Sequence, residues 1–146
     1  MKGYHLLASM LWVIACGTDP QPINFGSDAC SFCQMTIVDR QHAAQIVTQK
    51  GKAYKYDAIE CMLRDYQNWN RPNVAHFLVS DYAEPGTLTD ARGAYYLITE
   101  NIPSPMGAFL TAFSSKEARR VHLDSSGVVL EWEGLRKRFQ SHVHKH

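Results

Sequence analysis

The stretch "AIECMLRDYQNW", residues 58–69, does most to limit what this chain can become. Ile59, Met62, Leu63, Tyr66 and Trp69 share one helical face, and that face must be buried against another element. The flanking residues supply one. Residues 44–48 and 53–56 are β-prone runs, as is the shorter Ile37–Val38 pair, and "QKGK" at 49–52 is a glycine-centred turn that suits a hairpin. Asp57 reads as the helix N-cap, with Glu60 three residues on completing a capping box. "NRPN" at 70–73 ends the helix, and "VAHFLVSDY" at 74–82 is a further strand. The order is strand, strand, helix, strand.

The second half repeats this plan more loosely. A turn at Pro85–Gly86 and a short strand lead to a strand over 94–99; "IPSPMGAFLTAFSS" is loop and extended chain. Ser114 or Ser115 caps a helix over 116–123, a strand follows over 128–132, and a short helix covers 133–140. The prediction is an α+β fold of two ββαβ-like units, roughly 28–83 and 84–140, with mixed or antiparallel sheets and packed helices. A chain of 146 residues with 45% hydrophobic content can form one domain, or two subdomains on a shared core. The net charge of +1, with no basic stripe, argues against a nucleic-acid partner. No dinucleotide fingerprint, P-loop, nucleophile elbow or Ser-His-Asp arrangement is present.

Residues 1–15 read as a signal segment: Lys2, then an apolar run too short to cross a bilayer, then Ala15 before Cys16. "VIAC" at 13–16 resembles a bacterial lipoprotein cleavage site, with Cys16 as the lipidated thiol; a plain secretory signal with a chance cysteine is the alternative. Residues 16–27 would then be a lipidated, flexible tether, and 141–146 a polar, His-rich tail. The expected location is the cell envelope, anchored to a membrane and facing the periplasm, where disulfides can form.

That leaves Cys30, Cys33 and Cys61. Cys30-x-x-Cys33-x-Met35 offers two thiolates and a thioether, a soft donor set that favours Cu(I). A structural disulfide, a zinc corner and a redox couple remain open; the redox couple would prefer a helix N-terminus, and zinc a second ligand pair. Met106, held between Pro105 and Gly107, would be presented from a tight loop as a second arm of the site. Cys61 and Met62 read as core, His42 as a hairpin surface residue and His76 as a strand residue. His142, His144 and His146 suit a solvated tail with loose metal affinity.

Four blocks in order, "CSFCQMTIVD" (30–39), "YDAIECMLRDY" (56–66), "VSDYAEPGTLTDARGAYYL" (79–97) and "SPMGAFLTAFSSKEAR" (104–119), resemble the NosL family. The resemblance implies paired ββαβ units, similar to the treble-clef-like half of organomercurial lyase. It also implies a non-enzymatic, lipid-anchored chaperone that carries Cu(I) for maturation of nitrous oxide reductase. Partners would be that enzyme's copper-acceptor and maturation proteins, the membrane, and a second copy of the chain if a homodimer completes the site. Carried over by position, the metal ligands are Cys30, Cys33, Met35 and Met106. Two departures stand out: Ala108 where some members have a histidine, and Gln34 where glycine is common. The competing readings are a thiol–disulfide oxidoreductase using Cys30 and Cys33, and a structural adaptor lipoprotein.

Overall fold

A computed structural model describes residues 17–141. The expected signal segment, Cys16 and the histidines of the tail lie outside the described residues. In chain order the elements are β1 (Ala44–Thr48), β2 (Ala53–Tyr56), α1 (Ile59–Gln67), β3 (Val74–Asp81), β4 (Glu84–Asp90), β5 (Tyr95–Ile98), β6 (Leu110–Phe113), α2 (Lys116–His122), β7 (Val128–Leu130) and α3 (Trp132–Ser141). The class is α+β, as the sequence predicts, and every strand pairing is antiparallel.

The first sheet has the order β2-β1-β3-β4 and the second β6-β5-β7. β1 is interior to its sheet and all five of its residues are buried. The hairpin that joins it to β2 forms at the expected glycine: Gly51 has φ of 79°, a left-handed conformation that costs glycine little. Its N–H donates to the Thr48 carbonyl at 2.8 Å.

The two sheets share one core. Ile46, Tyr56, Met62 and Phe77 from the first half pack in one cluster with Tyr96, Leu110, Trp132 and Leu135 from the second. Trp132, at the start of α3, lies 5.1 Å from the Phe77 ring and 6.5 Å from that of Tyr96. The Tyr82 N–H crosses between sheets to the Ala112 carbonyl at 2.9 Å.

Several local expectations are corrected. The turn between β3 and β4 falls at Tyr82–Ala83, and Pro85 and Gly86 lie within β4, which extends the first sheet. Ile37 and Val38 form no strand; nearby there is one isolated bridge, Ala29 to Thr36. Asp57 does not cap α1: the N-cap is Ala58, with no side-chain cap. Asp57 is buried instead, with Oδ1 unpartnered. His42 is a core residue, its Nδ1 2.9 Å from Asp39 Oδ2 and its Nε2 3.3 Å from Thr111 Oγ1. Ser115 does cap α2, accepting from the Ala118 N–H at 3.2 Å. The segment expected as a loose tether is bonded to the first sheet from Gln21 onward. Gln21 N–H donates to buried Gln45 Oε1 at 2.8 Å, and Gln45 Nε2 donates back to the Gln21 carbonyl at 2.7 Å.

Candidate metal centre

The cysteine block is a tight knuckle between the N-terminal segment and β1. The Cys30 N–H donates to the Met35 carbonyl at 2.8 Å, and the Gln34 N–H to the Cys30 carbonyl at 3.0 Å. The knuckle is pinned to β2 by the Ser31 N–H, which donates to the Lys55 carbonyl at 2.8 Å, and by Lys55 Nζ, 2.6 Å from Asp28 Oδ2. β2 runs almost directly into α1, so the first turn of that helix arrives beside the knuckle and brings Cys61 with it.

The sulfurs of Cys30, Cys33 and Cys61 all lie within 4.8 Å of one another. Cys30 and Cys61 are fully buried, Cys33 is half-buried, and all three are free thiols. The electrostatics separate their roles. The Cys30 thiol is lowered to about 5, first by the hydrogen bond it receives from Cys61; burial opposes this, and amides of Asp57, Cys33 and Phe32 support the charge. The Cys33 N–H is 3.5 Å from that sulfur. Cys61 is raised by the same hydrogen bond to Cys30, and then by burial. Cys33 is raised first by burial, with the neighbouring Cys30 adding to it. The cluster thus favours negative charge on Cys30 over Cys33 and Cys61. Beside it, burial and then the Cys30 charge raise the carboxyl of Asp57.

The methionines are placed differently from each other. The Met35 carbonyl helps close the knuckle, while its side chain is 56% exposed at the rim, alongside exposed Phe32 and Val38. Met106 is half-buried and packs on the core cluster that contains Cys30 and Cys61. Its loop is a tight turn, with the Gly107 N–H donating to the Ser104 carbonyl at 3.0 Å and Gly107 at φ of 75°. Buried Glu60 holds both sides of that turn: Oε1 accepts from Ser104 Oγ at 2.6 Å and from the Ala108 N–H at 3.4 Å. The structure therefore groups Cys30 and Cys33 with Cys61, leaves Met35 on the rim, and ties the Met106 loop to the residue just before Cys61.

The profile of the NosL family matches residues 22–139. The chain belongs to the NosL family. Among solved structures, the copper chaperone NosL from Shewanella denitrificans matches with a TM-score of 0.68 at 16% identity, covering 80% of this chain and 95% of that one. At that identity the match speaks to the fold. No curated protein matches the sequence.

Gln34 sits at φ of 65°, a left-handed conformation that glycine adopts more readily than a residue with a side chain. Cys61 is the site residue that sequence reasoning missed. It looks like core because it is core, fully buried on the inner face of α1. The available signal was the two-residue connection between β2 and α1, Asp57–Ala58, which fixes the first helical turn beside whatever packs on β2.

Proposed function

We propose that this chain is a Cu(I) chaperone, anchored to a membrane through lipid on Cys16 and facing the periplasm, which supplies copper for assembly of nitrous oxide reductase. The observation that carries this reading is the convergence of three sulfurs from two separate segments, Cys30 and Cys33 from the knuckle and Cys61 from α1. The family membership and the named copper chaperone of the same fold support it. Structural zinc sites close with four ligands. Among the described residues the cluster offers three His, Cys, Asp or Glu donors, all sulfur, which suits a soft ion of low coordination number.

Copper is cargo here. Cys30, the most readily ionised of the three, makes the first bond, and Cys33, the most accessible, is where an acceptor's ligand enters. Met106 adds a thioether from its loop, and Met35 at the rim offers an exposed sulfur for capture and handover. Thioethers suit this work because they neither titrate nor pair into disulfides.

The test is anaerobic competition with a chromogenic Cu(I) chelator. Cys33→Ser and Cys61→Ser each weaken binding by at least about tenfold, since a lost ligand is worth more than a lost outer-shell partner. Parental affinity in both variants would overturn the reading. Affinity rises with pH above about 5, as Cys33 and Cys61 surrender protons to the metal, and falls more steeply below it as Cys30 is protonated too. In cells, Cys16→Ala releases the protein from the membrane fraction, and deleting the chain leaves nitrous oxide reductase short of copper. A copper-replete reductase in the deletion strain would refute that assignment.

A thiol–disulfide oxidoreductase gains some support from the ionised Cys30. Attack on a disulfide needs an accessible thiolate. Here the thiolate is sealed in the core, and the more exposed Cys33 has its pKa raised.

A further inference from the structure

Glu60 is the least expected side chain near the cluster. The carboxylate is fully buried, yet Oε2 has no partner, and Oε1 carries both hydrogen bonds. Burying a carboxylate is costly, and leaving one of its oxygens bare adds to the cost. The helix gains little from it as a cap, because Glu60 reaches away from the N-cap toward the Met106 loop. Both bonds end on residues that bracket Met106, one on the Ser104 hydroxyl and one on the Ala108 amide. The turn is already closed by the Gly107 N–H, so its internal shape does not depend on Glu60. What Glu60 sets is where the turn sits, against the first turn of α1, one residue from Cys61.

Resting on the copper-chaperone reading above, we propose that Glu60 is a positioning residue that locks the Pro-Met-Gly loop onto α1 and so holds the Met106 thioether at the thiol cluster. The second donor in the lock is the backbone amide of Ala108. The loop is therefore held to the helix at a position whose own side chain cannot ligate, leaving Met106 as the donor this segment delivers.

The experiment measures Cu(I) affinity by anaerobic chelator competition, with sulfur neighbours counted by copper X-ray absorption, on the full chain and its variants. Glu60→Ala lowers affinity about tenfold, as expected for a partner that orients a ligand, and removes one sulfur neighbour. Met106→Ala does the same, and the double variant is no weaker than Met106→Ala alone. Glu60→Gln, whose amide oxygen still accepts from Ser104 and Ala108, retains parental affinity and sulfur count. A purely structural role would not give this rescue together with that non-additivity. If Glu60→Ala does not fold, Ser104→Ala removes one of the two donors and must lower affinity in the same direction. The proposal is overturned if Glu60→Ala or Ser104→Ala binds copper as the parent does, or if the Glu60 and Met106 losses add in full. It also falls if Met106→Ala keeps every sulfur neighbour. Those results leave the thiol variants untouched, and only parental affinity in Cys33→Ser and Cys61→Ser defeats the chaperone reading itself.

Discussion

At the scale of single residues, the knuckle carries a defined strain. Gln34 holds a left-handed backbone that costs a side chain about 1 kcal/mol, while its Nε2 reaches the Ser31 carbonyl at 3.4 Å. Gln34→Gly should raise the unfolding free energy by about 0.5 kcal/mol at most, most of the relieved strain being offset by the freer unfolded chain. Gln34→Val should lower it, because a branched Cβ tolerates positive φ poorly. Urea denaturation of the two variants checks both signs, and a destabilised glycine variant would show that the backbone is not strained there. Sequence exposes such positions unevenly. Cys30 and Cys33 announce themselves by spacing, whereas Cys61 and Glu60 are hidden inside a regular helical pattern, where any polar or thiol side chain passes for a cap or a small hydrophobe. Whether it instead faces a loop forty residues away depends on contacts that local pattern does not encode.

At the scale of elements, the knuckle depends on β2. Lys55 leaves the strand to meet Asp28, whose carboxyl is held below its ordinary value first by Lys55 and then by the Asn24 amide. A carboxylate depressed in this way contributes stability that is fully present above its unfolded value and is lost as pH falls through its folded value. Lys55→Met should therefore cost about 0.5 kcal/mol at neutral pH, as is usual for part-exposed ion pairs, and the gap to the parent should close in acid. Thermal melts at neutral and acidic pH measure this; a gap that persists in acid would assign the loss to packing of the lysine stem. The elements themselves were legible where a local signal was strong. β1, β2 and α1 lie within a few residues of their predicted places because turn glycine, β-prone runs and helical face agree. For β4 the sequence predicts only a short strand after a Pro-Gly turn, since its pairing with β3 is set across the sheet and β-edge strands tolerate proline.

At the scale of the whole molecule, the two halves are joined through their shared core. Trp132 contacts Phe77 of the first sheet and Tyr96 of the second. Trp132→Ala should cost about 3–5 kcal/mol, and the parent should unfold in one transition seen alike by fluorescence and circular dichroism. Two separate transitions in the parent would mean that the halves are independent. The doubled ββαβ order and a shared core are expected from the sequence, but the residues that join the halves are not, because the ring contacts of Trp132 connect residues far apart in the chain.

The Gln21–Gln45 pair bears on how far the domain can stand from a bilayer. With Cys16 lipidated, as proposed, only the five peptide links from Cys16 to Gln21 separate the anchor from a residue fixed to the first sheet, a reach of about 17 Å when fully extended. Such a short leash keeps the domain close to the lipid headgroups. Cargo would then be exchanged with partners at the membrane surface, and a soluble acceptor would have to come to the bilayer to collect it.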